Sequence, residues 1–187
     1  MDFFRWIAVV LSTILGLGIA RILSGFVTVF KARDRVAPDW LSLILAGVIL
    51  GEFLQFWWAL AELAKIKSWS LGDFTLLTAL AMALFLAAAL IVPDDIHNRD
   101  PKESFEKDGR WSLAAIGIYY ALGIFANCTL WAERLLSPSN ALLALLVILA
   151  TLGFLGHGRR VRVTVVALFA ALNIADTFIA SQSVYGG

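Results

Sequence analysis

The sequence predicts an all-α integral membrane protein, a bundle of six transmembrane helices. Three observations carry that prediction. Of 187 residues, 60% are hydrophobic and 16% charged, with a mean hydropathy of +0.84, whereas soluble domains hold about 45–50% apolar and 25% charged residues. Apolar runs recur at the roughly 17–25 residues a helix needs to cross a hydrocarbon core about 30 Å thick. The two-residue alternation of a membrane β-barrel is absent.

The first span is drawn over residues 6–30, closed by "KARDRVAPD", where charge and Pro38 stop it. The small-x-small triplet at 18–20 would suit signal-peptide cleavage. Asp2 beside Arg5, and an apolar run continuing past the triplet, favour a retained span instead. The second span covers 40–64 and ends at "KIKSWSLGD", where Gly72 suits a turn before the third span at 73–92. Residues 93–110 form the longest polar segment, and the fourth span follows at 111–134. "SPSN" then interrupts, with Ser139 or Asn140 able to cap the fifth span, 141–156. "HGRR" precedes the sixth, 162–181. Nearly every residue falls in a span or a short connection, so a single transmembrane domain over 1–187 is expected.

Lysine and arginine set the orientation. The connections 31–39, 93–110 and 157–162 hold Lys31, Arg33, Arg35, Arg99, Lys102, Lys107, Arg110, Arg159, Arg160 and Arg162. The opposite side holds Arg5, Lys65, Lys67 and Arg134. The excess puts the first set in the cytoplasm and both termini outside, in a membrane of the bacterial inner type. Laying residues 5–26 over 110–131 matches Arg5-Trp6 with Arg110-Trp111, and Leu17-Gly18-Ile19 with Leu122-Gly123-Ile124. Each half then has three spans of opposite sense, the plan of two inverted repeats. Chance similarity between apolar helices is the competing explanation.

Polar residues within the spans point to function. Glu52, Gln55 and Glu62 share one sector of the second span, and Arg21, Ser24 and Thr28 one face of the first. Asn173 and Asp176 lie one turn apart on the sixth, while Tyr120, Asn127, Trp131 and Arg134 follow one face of the fourth. At 1.5 Å per residue, Glu52 lies about 18 Å into its span, and Arg21 about 14 Å from the inner end of the first. Asp176 and Asn127 lie about 21 and 24 Å from the cytoplasmic side. Glu52, Asp176, Arg21, Gln55, Asn127 and Asn173 are therefore expected to form a polar core that binds ions or protons. Arg21 would act as countercharge to Glu52. One arginine cannot neutralise two carboxylates, so the other would bind a proton, water or a cation. The bland alternative is interhelical glue.

Phe53, Phe56, Trp57 and Trp58 cover nearly the whole circumference of the second helix, which suggests a constriction or a homo-oligomer contact. Trp40, Trp69 and Trp111 sit at span ends, as an interfacial belt requires. "GVILG" at 47–51 has the small-xxx-small spacing of close helix approach. The arginines of "HGRRVR" read as a cytoplasmic anchor. His97 with Asp94, Asp95 and Asp100 reads as a solvated loop and not a metal site. The mixed charges of 93–110 could receive a cytoplasmic partner.

Several classes are disfavoured. The single cysteine, Cys128, forms no internal disulfide. No zinc-protease, nucleophile-elbow or phosphate-loop motif occurs, so no catalytic residue, cofactor or metal is expected. A net charge of +1 without basic runs gives no sign of nucleic-acid binding. The function expected is a channel or transporter for a cation, proton or small solute. A non-catalytic structural, assembly or signalling subunit is the first alternative and a membrane-embedded enzyme the second.

Overall fold

The computed structural model describes residues 3–34, 38–66, 68–91, 109–156 and 158–185; of residues 3 and 177–185 it describes the backbone only. Among the described residues six helices follow one another: α1 (Phe3–Ala32), α2 (Trp40–Leu63), α3 (Leu71–Ile91), α4 (Arg110–Leu130), α5 (Pro138–Leu155) and α6 (Arg159–Tyr185). Among the described residues there is no strand. The first five are long and apolar enough to cross a membrane.

The helix ends follow local chemistry. Ser70 and Asp73 cap α3 reciprocally: the Ser70 amide donates to Asp73 Oδ2 at 2.9 Å and the Asp73 amide to Ser70 Oγ at 3.1 Å. Gly72, expected in a turn, lies inside that first helical turn. α4 ends at Leu130, four residues short of expectation. Ala132 takes a left-handed φ of 52°, and the Glu133 amide folds back on the Asn127 carbonyl at 3.0 Å. Arg134 therefore leaves the face of Tyr120 and Asn127. Ser137 caps α5 by accepting from the Asn140 amide at 3.2 Å, with Pro138 at the first helical position, where its missing N–H costs nothing. The expected caps, Ser139 and Asn140, lie two and three residues past Ser137, inside the helix.

Successive helices run up and down. Gly117 packs on Ala150, Gly123 on Leu143 and Gly153 on Leu113, the antiparallel register of α4 and α5. Ser112 Oγ donates to the Ala87 carbonyl at 2.7 Å, tying the start of α4 to the end of α3. Arg159 Nη2 donates to Asp39 Oδ1 at 2.6 Å, which sets the starts of α2 and α6 side by side. Phe4 stacks on Trp69 at 6.1 Å, so α1 begins where α2 ends. We call the end where α2, α4 and α6 begin the lower end. Trp40 and Trp111 lie exposed there, and Trp6 lies exposed at the upper end.

The core is apolar and centred on α3, which packs on α1, α2 and α4. Leu77, Ala81, Leu84, Ala87 and Ala88 of α3 are fully buried against Leu11, Leu15, Ile49 and Leu113. Large apolar side chains also point outward, among them Leu17, Leu54, Met82, Ile118, Phe125 and Ile148. An apolar exterior around an apolar core is what a lipid-facing bundle presents.

Candidate functional site

α2 and α4 run parallel, and they meet chiefly through long side chains; the close backbone approaches of each are to other helices. The space between them is a cavity of about 410 Å³, lined also by Ser139, Leu142 and Leu143 of α5 and by Asp176 of α6. Its deepest point is Glu52, on the fourth turn of α2 and only 5% exposed. Tyr120 Oη donates to Glu52 Oε1 at 2.7 Å. Tyr119, the next residue on α4, also interacts through its phenol with this carboxylate. Asn173 of α6 completes the group. Its Oδ1 lies 3.5 Å from Tyr120 Oη, and its Nδ2 donates to the Phe169 carbonyl at 3.0 Å. Since a phenol has one proton, the shorter bond to Glu52 takes it.

Toward the upper end the cavity passes Gln55, Phe56, Ala59 and Glu62 of α2, which recur on one helix face, and Asp176, one turn past Asn173 on α6. Its mouth is built from Asn127, Trp131 and Glu133. The Trp131 indole donates to Glu62 Oε2 at 3.2 Å across the mouth. Glu133 is held by Ser137, whose hydroxyl donates to Oε2 at 2.8 Å. Among the described residues four carboxylates thus line the cavity, and no lysine or arginine does. Below Glu52 the bundle closes with Leu45, Ile49, Leu113, Ile116, Val166 and Phe169, all fully or nearly fully buried.

A second polar group braces the mouth from outside. Asn127 Nδ2 donates to Asn140 Oδ1 at 3.0 Å, and Asn140 Nδ2 to the Arg134 carbonyl at 3.1 Å. Asn140 is 1% exposed. These bonds fasten the α4–α5 turn, so Asn127 has a structural bond as well as a place at the cavity.

Of the six residues expected in a polar core, Glu52, Gln55, Asn127 and Asp176 line the cavity, and Asn173 lies beside it, its Oδ1 3.5 Å from Tyr120 Oη. Arg21 is half-buried on α1 and does not line it. The aromatic set divides. Phe53 and Phe56 are buried within the chain's own bundle, Phe53 against Gly18 of α1 and Phe56 beside Tyr119, at 6.3 Å between centroids. That burial removes both from any contact between copies. Trp57 and Trp58 face outward, the latter 71% exposed. Sequence reasoning missed Tyr119, Glu133 and Asn140, and gave Tyr120 only a place on the α4 face. Tyr120 stands seven residues before Asn127, two turns away on that face, and this spacing was the available signal. Among the described residues no three His, Cys, Asp or Glu side chains gather closely enough to hold a metal ion. His97, Asp94, Asp95 and Asp100, and all but the last two residues of the 93–110 segment, lie outside the described residues. Compared with known proteins, the chain matches no family model, no curated sequence and no solved structure.

Proposed function

We propose that this chain is a membrane channel or transporter that takes a cation or proton into the cavity between α2 and α4. One observation carries the reading: a cavity reaching to mid-bundle, lined by Glu52, Glu62, Glu133 and Asp176 and, among the described residues, by no basic side chain. Carboxylates at membrane depth are costly, and those that persist usually mark ion or proton paths. A positive charge entering from the mouth offsets that cost. Glu52 is the inner binding group, while Asp176, Gln55 and Asn127 complete the wall and Asn173 lies beside Tyr120. Arg21 remains the proposed balancing charge at a neighbouring position on α1.

In this reading α6 is the sixth span, and the arginine-rich lower end faces the cytoplasm of a bacterial-type inner membrane. Both chain ends then lie outside, and the cavity opens outward. A homo-oligomer would use the outward faces, including Trp57 and Trp58, and the 93–110 segment would meet any cytoplasmic partner. The inverted-repeat plan belongs to the same proposal. The structural-subunit alternative draws on the Asn127–Asn140 bonds, which fasten helices without lining the deep cavity.

The test is cation and proton flux in proteoliposomes, comparing the parent with Glu52→Gln and Asp176→Asn. Flux in the parent that Glu52→Gln abolishes, with the melting profile retained, is the expected result. Absence of flux at every pH and potential in folded parent protein refutes the reading and favours a structural subunit.

A further inference from the structure

We infer that the cavity binds an organic ammonium ion, a protonated amine or quaternary ammonium carried on a compact apolar body. This deepens the cation reading above and rests on it. Size is the first reason. A volume of about 410 Å³ lies among sites for small organic molecules, roughly 300–1,000 Å³. One water occupies only about 30 Å³ of liquid.

The spread of the carboxylates is the second. Ten residues separate Glu52 from Glu62 on one helix, about 15 Å along its axis, and Glu133 lies beyond the end of α4. Magnesium or calcium demands about six to eight oxygens at 2.0–2.6 Å. Among the described residues no three acidic, histidine or cysteine side chains converge in that way. A diffuse organic cation needs no such shell; it needs negative charge at one end and tolerant walls around the rest.

The walls are the third reason. Phe56, Tyr119, Tyr120 and Trp131 line the cavity, with Phe56 and Tyr119 centroids 6.3 Å apart and those of Tyr119 and Tyr120 5.2 Å apart. Aromatic faces attract ammonium groups within about 6 Å of the ring centroid, and rings combined with carboxylate are how quaternary ammonium is recognised. Leu142 and Leu143 supply apolar surface for alkyl groups. Among the described residues no lysine or arginine stands in the lining to oppose the charge. The ammonium group sits at the Glu52 end, and Trp131 and Glu62 close behind it.

Calorimetric titration of the full chain in nanodiscs tests this, using tetraethylammonium, choline and 3,3-dimethyl-1-butanol, the neutral carbon analogue of choline. Both ammonium ions are expected to bind, and the analogue at least tenfold more weakly. Glu52→Gln is expected to weaken tetraethylammonium at least tenfold. Trp131→Leu should weaken it severalfold more than Trp131→Phe, each variant being checked by its thermal melt. Equal binding of choline and its analogue overturns the inference, since the cavity would then be merely apolar. Sodium, potassium or proton flux that depends on Glu52, without ammonium binding to the parent, overturns the inference while the cation reading stands. Neither flux nor binding in folded protein removes both. The choline comparison uses only the parent chain, so a misfolded variant cannot mask the answer.

Discussion

Glu52 is a costly side chain to bury at mid-bundle, and the phenol of Tyr120 makes its burial tolerable. An ionisable group at the middle of a span costs about 2.5–3.5 kcal/mol on insertion scales, whereas a hydrogen bond to a charged group contributes about 1.5–3 kcal/mol. One bond at 2.7 Å therefore offsets much of the cost. Tyr120→Phe keeps the ring against Phe169, at 5.5 Å between centroids, and removes only that donor. It is expected to destabilise the protein by about 1–3 kcal/mol in a detergent unfolding titration. In the Glu52→Gln background the same change should cost distinctly less, because the two groups are coupled. An equal cost in both backgrounds would mean that Tyr120 contributes by packing alone. At this scale the sequence was half legible. Helical rise fixes how deep a residue lies, and it put Glu52, Asp176 and Asn127 at about 18, 21 and 24 Å from the cytoplasmic side. Depth does not fix the direction a side chain takes around its helix, which is why Tyr120 was given a place on the α4 face and not its bond to Glu52.

Helix packing depends on a few small residues and one ion pair. A Cβ added at Gly18 would collide with the buried Phe53 ring, which sits between α1 and α2. Gly18→Ala is therefore expected to cost about 1–3 kcal/mol, the usual range for overpacking. Gly16→Ala, with nothing near its added methyl group, should stay within about 0.5 kcal/mol. A melt showing the two variants alike would place α1 differently against α2. The lower ends of α2 and α6 are joined by Arg159 and Asp39. The Asp39 side chain is almost wholly buried, and its other oxygen accepts from Ser42 Oγ at 3.1 Å. Arg159→Ala leaves that carboxylate with one partner and should cost about 1.5–3 kcal/mol. Asp39→Asn with Arg159→Ala should recover part of the loss, read in the same unfolding titration. The helices themselves were legible from apolar run length, because lipid-length apolar runs have few other solutions. Their ends were less so. The Ser70–Asp73 box was present in "SLGD" and was read as a turn, and the end of α4 depends on a left-handed Ala132 that no residue preference announces.

Across the whole molecule, the neighbours of each helix decide what the bundle can do. α1 packs on α2 and α3, while α4 packs mainly on α3 and α5, so the two halves do not repeat each other's contacts in full. The cavity arises where α2 and α4 are held apart by their own side chains, an outcome of packing that run lengths do not contain. It is one-sided: the mouth lies at Trp131 and Glu133, and beneath Glu52 the floor is a dry layer including Leu45, Ile49, Val166 and Phe169. A path that stops at mid-bundle does not conduct, so transport through it requires a second arrangement in which the floor opens. Binding that stabilises one of two arrangements shifts their populations by its differential affinity. Thiol accessibility in sealed vesicles reads both features, starting from a Cys128→Ala background. A cysteine at Ala59, on the cavity wall, should react with a membrane-impermeant reagent added from the upper side only. A cysteine at Leu45, in the floor, should resist the reagent from both sides. If the cation reading holds, adding the transported cation should expose Leu45→Cys to the lower side while the Ala59→Cys rate falls. A Leu45→Cys that reacts from the lower side without any cation would mean that the floor is already open, and the protein would then be a channel whose restriction lies elsewhere.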